Sequence, residues 1–191
     1  MSAKGILIVQ GFSWQESPFQ LLADNYEIVN NYFQKNFNPK ALRKVNGFDF
    51  SDTIAVHVRL GDYKNMHGLQ TSIEWYVDVI IKLKEYCNKT TKFIIFSDGK
   101  DRELLPLLNI NNTQRVFFGN ALADIVAMSK CKLIIASSSS FSAWGAFLGQ
   151  KPFIAQKMHF GNILKDHSKQ FTFDKSGNID EYLASLHLKD L

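Results

Sequence analysis

The chain has 191 residues, 46% of them hydrophobic and 21% charged, with a formal net charge of +4. That length suits one domain with small appendages and a sizeable core, and the composition excludes a disordered or fibrous chain. Lys and Arg are scattered, with no basic block of the kind that grips nucleic acid; the mild positive balance suits an anionic nucleotide sugar or contact with a membrane surface.

Residues 6–9 read as a strand, too short for a signal-peptide core or a membrane span. Gly11 turns the chain into an aromatic loop with Phe12 and Trp14, which suits packing at a domain edge or contact with a sugar acceptor. Ser17-Pro18 is a cap followed by a first-turn proline, and a helix is expected from there to about residue 37. Residues 39–47 are a linker or short helix. The expected division is an amino-terminal strand, helix and linker over 1–50 and a main domain over 51–191.

The main domain opens on Thr53-Ile54-Ala55-Val56-His57-Val58-Arg59-Leu60-Gly61-Asp62-Tyr63. Its apolar, β-branched start reads as a strand buried on both faces. The two-residue period puts His57 and Arg59 on one side of that strand, and Gly61 allows a sharp turn where it stops. Arg59 carries a planar fork of donors suited to phosphate, although Arg59 and Asp62 could equally form an ion pair at a strand end. Thr71-x-x-Glu74 reads as a capping box for a helix to about residue 85, with Ile73, Tyr76, Val77, Ile80 and Leu83 on one face. Residues 92–96 form a second buried strand ending at Ser97-Asp98-Gly99, and 101–108 a helix. A third strand is expected over 115–118, a helix capped by Gly119-Asn120 over 121–130, and a fourth strand over 133–136. Ser137 to Ser140 form a tight loop into a helix over 141–148 with Ser140 as candidate cap, Gly149 ends that helix, and a strand covers 152–155. An amphipathic helix over 179–188 completes the chain.

Alternating strands and helices predict an α/β fold with a Rossmann-like, doubly wound parallel sheet. Gly-x-Gly-x-x-Gly and a Walker loop are absent, which disfavours a nicotinamide dehydrogenase or a P-loop kinase. No Asp-x-Asp and no Cys/His cluster with zinc spacing is present, so no metal and no other cofactor are expected. Cys87 and Cys131 set no disulfide framework and read as reduced thiols. The histidines His67, His159 and His167 fall in loops and read as surface residues.

His57-x-Arg59-x-Gly61-Asp62-Tyr63 resembles the first motif of the alpha-1,2-fucosyltransferases, glycosyltransferase family 11. A second stretch strengthens the likeness: Asp124, then Met128-Ser129-Lys130-Cys131, an apolar strand, and Ser137-Ser138-Ser139-Ser140-Phe141-Ser142-Ala143-Trp144-Gly145-Ala146-Phe147-Leu148. Phe96-Ser97-Asp98 lies between them in the family's order. The likeness covers roughly residues 50–155, the donor half of such enzymes. Leu60 stands where the family usually has a second Arg, Gly99 where a second Asp is common, and Ser138, Ala143 and Phe147 where it has Asn, Trp and Trp. The family's Gly-Asn-Gln-containing opening, which helps form the acceptor side, has no counterpart.

The resemblance implies the nucleotide-binding half of a GT-B enzyme that inverts GDP-fucose onto a galactoside hydroxyl in alpha-1,2 linkage. It implies Arg59 as the cation at the diphosphate and Asp62 as its orienting partner or a general base. His57 and Asp124 would hold the guanine, and Asp98 the nucleoside or diphosphate side. The start of the helix at Phe141, with Ser139, Ser140 and Ser142, would bind phosphate through free N–H groups and hydroxyls. Partners are then the nucleotide-sugar donor and a glycan acceptor, without nucleic acid. The expected place is the bacterial-type cytoplasm or the inner-membrane periphery, because the family's eukaryotic members carry an anchor not seen here. Two alternatives stay open: a non-catalytic or truncated GDP-sugar-binding module, and a transferase using another nucleotide sugar. The oligomeric state is not legible.

Overall fold

The computed structural model describes residues 18–65, 70–157, 161–173 and 178–188. The expected strand over 6–9 and the residues Phe12, Trp14, His67 and His159 lie outside them. Three helices come first, α1 (Pro18–Asp24), α2 (Tyr26–Asn36) and α3 (Arg43–Asn46). There follow β1 (Thr53–Val58), α4 (Ile73–Leu83), β2 (Lys92–Ser97), α5 (Asp101–Leu108), β3 (Thr113–Arg115) and α6 (Ala121–Lys130). β4 (Leu133–Ala136), α7 (Ser140–Gly149), β5 (Phe153–Ala155), β6 (Gln170–Thr172) and α8 (Ile179–Ser185) complete the order.

All neighbouring strands pair in parallel, in the order β3-β2-β1-β4-β5-β6. Every residue of β1 is buried, as expected of a central strand covered on both faces. One side of the sheet packs against α4, α5 and α8 through Ile54, Val56, Tyr76, Ile80 and Leu104. The other packs against α6 and α7 through Ala55, Ile94, Ile134, Ala127 and Phe147. Phe19, Leu42, Val45 and Phe50 join that second layer, so the described residues before β1 rest on the same face. The winding therefore reverses between β1 and β4. A crevice opens outside the carboxyl ends of two strands where winding reverses, and it is where such sheets bind ligands.

Helices α6 and α7 cross at close range. A Cβ on Gly149 would collide with the backbone carbonyl of Ser129, which cannot move aside as a side chain can. Gln150 then takes a left-handed conformation, φ 46°, to end α7.

Several boundaries differ from the sequence reading. The expected helix over 18–37 breaks at Asn25 into α1 and α2. The cap of α4 is Ser72, whose Oγ accepts from Trp75 N at 3.3 Å, and not a Thr71–Glu74 box; Thr71 is buried instead. Val79 joins the buried face of α4, and Val77 stays half-exposed. The third strand is Thr113–Arg115 and not 115–118. The apolar signal of those residues reports packing, since Phe118 turns inward to stack with Phe96, 6.1 Å between centroids, while Phe117 points to solvent. α7 begins one residue early, at Ser140, and its cap is Ser139. α8 stops at Ser185. β6 had no sequence signal, because a three-residue edge strand of Gln-Phe-Thr is too short to show a period.

Candidate active site

The crevice at the reversal is built from the exits of three strands. The exit of β4 lies along β1, with Ser137 N donating to His57 O at 3.1 Å. The exit of β2 lies along its other edge, with Ser97 Oγ donating to Val58 O at 2.7 Å and Leu60 N donating to Asp98 Oδ1 at 2.8 Å. His57, Arg59, Asp62, Asp98 and the Ser137–Ser142 loop thus meet at one place.

Arg59 stands in the middle. Its Nε donates to Asp62 Oδ1 at 2.9 Å, its Nη2 lies 2.9 Å from the same oxygen, and its Nη1 lies 3.0 Å from Asp98 Oδ2. The guanidinium also sits over the Tyr63 ring, 5.8 Å from its centre. A guanidinium has five N–H donors, so this clamp leaves donors for an incoming anion. The Asp62 hydrogen bond, with Asp98 nearby, raises the pKa of Arg59, which stays a cation. Desolvation pushes Asp98 upward, but the N–H groups of Leu60 and Gly61 and the charge of Arg59 outweigh it, and its carboxyl lies below the usual range.

His57 is buried and its ring stacks on Phe141, 5.2 Å between centroids and 25° between planes. Nδ1 lies 3.2 Å from Ser137 Oγ. Burial, helped by the charge of Arg59 and opposed by Asp98, pushes its pKa down to about 4. A neutral imidazole of such low basicity serves as a hydrogen-bonding and stacking group rather than as a strong base.

The serine loop divides its labour. Ser139 Oγ accepts from Phe141 N at 3.3 Å. Ser142 is buried, and its hydroxyl donates back to the carbonyls of Ser139 at 3.1 Å and Ser137 at 3.3 Å, so it holds the loop rather than facing the crevice. Ser140 is exposed on the first turn of α7, where the backbone N–H groups of Ser140 and Ser142 have no carbonyl within the helix to bond. Ser138 is buried, and its Oγ has no hydrogen-bond partner among the described residues. Asp124 lies apart from this cluster, in the first turn of α6. Its Oδ1 accepts from Phe118 N at 2.8 Å, and burial raises its pKa.

Two residues of the crevice had no role in the sequence reading. Tyr63 donates its hydroxyl to Ser138 O at 2.9 Å and so ties the first motif to the serine loop. Ser137 contacts His57. Its signal was its place, directly after the last strand residue of β4. Among the described residues, no group of three or more His, Cys, Asp or Glu side chains is placed to hold a metal ion, and no helix is long and apolar enough to cross a membrane.

Residues 16–179 match the model of glycosyl transferase family 11. The chain belongs to this family. It is 31% identical over 158 residues to an alpha-1,2-colitosyltransferase of Escherichia coli, a match covering 77% of this chain and 53% of that protein. The family 11 chain therefore spans about half the length of the curated relative it matches. In structure it is similar to the fucosyltransferase NodZ from Bradyrhizobium, with a TM-score of 0.44 and 18% identity over 59% of this chain and 42% of the other.

Gly61 of the family 11 chain follows the strand end at close quarters: a Cβ there would run into Asp98 Oδ2, the oxygen that pairs with Arg59. The carboxylate is pinned by Leu60 N and Arg59, so it cannot simply swing away. Gly61→Ala is expected to cost about 1–2 kcal/mol, in the range of overpacking elsewhere. Chemical denaturation of the two proteins checks it, and equal midpoints would show that Asp98 yields freely.

Proposed function

We propose that this chain is the donor-binding half of a GT-B glycosyltransferase, and that the donor is GDP-fucose. The reaction is then transfer of fucose to a galactoside hydroxyl in alpha-1,2 linkage, with inversion. The observation that carries this reading is the convergence of Arg59, the first turn of α7 and the unpartnered hydroxyl of Ser138 at the reversal of winding. A fixed cation beside free helix N–H groups suits a diphosphate, and a buried hydroxyl without a partner among the described residues suits a ligand that supplies one.

Transfer breaks the bond between the anomeric carbon and the diphosphate, and the acceptor oxygen forms a new bond to that carbon from the opposite face. The bonding pair leaves with the diphosphate, and the acceptor hydroxyl gives up its proton to the half-exposed Asp62 carboxylate or to solvent water. In this reading Arg59 and the N–H groups of Ser140 and Ser142 meet the growing negative charge, and they do so without rearranging. Asp62 is half-exposed, and it is the partner of Arg59 that a diphosphate displaces more easily. Asp98 is held from behind by Leu60 N and keeps the guanidinium aimed. His57, neutral and stacked on Phe141, offers a flat hydrogen-bonding surface. Asp124 would select guanine by accepting from the base N1 and exocyclic amine, with the carboxylate capacity that Phe118 N leaves free.

The test is calorimetric titration of the chain with GDP and with UDP, followed by assay with GDP-fucose and a galactoside. Binding of GDP with UDP silent, and fucosyl transfer, is the expected result. Equal binding of both nucleotides, or of neither, would overturn the donor assignment. GDP binding without turnover would favour a second reading, a GDP-sugar-binding module that does not itself transfer the sugar. The E. coli relative's name also makes colitose the sugar to assay beside fucose.

A further inference from the structure

A cleft of about 590 Å³ lies at the edge of the sheet where the strands begin, opposite the candidate active site. Four lysines line it: Lys130 at the end of α6, Lys132 before β4, Lys151 before β5 and Lys169 before β6. Phe50 and Leu186 add apolar wall, and no Asp or Glu is among the lining residues. The volume falls within the range of small-ligand pockets. The nearby acids serve other ends. Lys132 is buried and its Nζ is already held, by Asp52 at 3.0 Å and by the Leu188 carbonyl at 3.4 Å, while Asp52 also accepts from the hydroxyls of Thr90 and Thr91. Asp166 feels the charges of Lys169 and His167 while accepting from Ser168. Lys130 and Lys151 make no ion pair among the described residues.

Lysines near helix ends can simply offset the carbonyl dipoles of α6 and α7, which also finish at this edge. That offset covers Lys130 and Lys151 one at a time. It reaches Lys169 only weakly, since the 3-10 helix that ends there, His167–Lys169, is a single turn, and it does not account for a ligand-sized opening that Lys130, Lys151 and Lys169 share without a lining carboxylate. Like charges gathered around one space repel unless an anion sits among them. Ammonium groups are point charges with freely turning donors, which suits phosphate approached from several sides.

From this juxtaposition we infer that the cleft is a second anion site, taking a multiply charged phosphate group, separate from the crevice at the carboxyl ends of the strands. The phosphate belongs to a small free molecule or to an anionic lipid head group, and the test tells these apart. Arg59→Ala serves as parent protein, so that the first site cannot answer for the second. It is titrated with inorganic pyrophosphate at low salt, and co-sedimented with phosphatidylglycerol vesicles against phosphatidylcholine ones. Both are repeated after adding Lys130→Gln and Lys151→Gln, with melting temperature as the folding check. Lys169→Gln alone is the substitute if the double change unfolds the chain.

Saturable pyrophosphate binding, weakened about tenfold or more by the lysine changes and by raised salt, establishes a site for a free phosphate compound. Vesicle binding that needs phosphatidylglycerol and the lysines, with pyrophosphate silent, establishes the lipid source. Binding of neither probe, or binding that ignores the lysine changes, overturns the inference. Because the parent already lacks Arg59, none of these outcomes depends on the donor reading.

Discussion

Arg59→Ala is expected to weaken GDP binding at least about 100-fold, the loss that follows when a charge-assisted, desolvated ion contact of roughly 3 kcal/mol is removed. The side chain is about a third exposed, and its pairs with Asp62 and Asp98 lie at the surface, so its removal should leave stability within about 1 kcal/mol of the parent. Loss of affinity without loss of folding is therefore the signature to look for, by calorimetry beside a melting curve. Arg59→Lys sharpens the test. It keeps the charge but loses the fork that Asp62 and Asp98 hold in aim, so it should recover only part of the affinity. An unchanged dissociation constant in Arg59→Ala would remove Arg59 from the donor site, and with it the main support for the proposed function.

The second large effect is on stability in acid. His57 carries a pKa near 4 in the folded chain, chiefly through burial, against an ordinary value of 6.5. The unfolded chain therefore takes up this proton first as pH falls. Stability from His57 is fully present above about pH 6.5 and is lost progressively towards pH 4, amounting to about 3 kcal/mol. Asp98 and Asp52, both with lowered pKa values, lose stability in the same direction at lower pH. Comparison with His57→Asn separates the terms, because the carboxylates act in both proteins and only the parent carries the imidazole. Urea unfolding at pH 7 and pH 4.5 should show the gap between the two proteins narrowing in acid. Parallel losses would mean that His57 is solvated in the folded chain.

The sequence pattern reached the helices α5 and α6 and the strand β4 to the residue, since caps, starting carboxylates and unbroken apolar runs are local signals. It failed where packing competes with local preference. Phe118 looked like strand and is a core side chain of a connection, and Thr71 looked like a cap and is buried behind one. Ser142 shows the same limit within the site. Its type suggested a phosphate donor, but only its surroundings reveal that its hydroxyl turns back to the loop carbonyls.

By itself the sequence determined the kind of fold, the family likeness and most of the residues gathered in the crevice, because the alternation of elements and the two motifs are written in neighbouring residues. The tertiary structure decided which of them touch. Only the strand order sets β1 between β2 and β4, and so brings Asp98 to Arg59 and Ser137 to His57 across long stretches of chain. It likewise decided the pinning of Asp98 that Gly61 makes room for, the burial that keeps His57 neutral, and the gathering of lysines from three stretches of chain at the opposite edge. Contacts between distant residues follow from how parallel strands stack, and no local pattern carries that information.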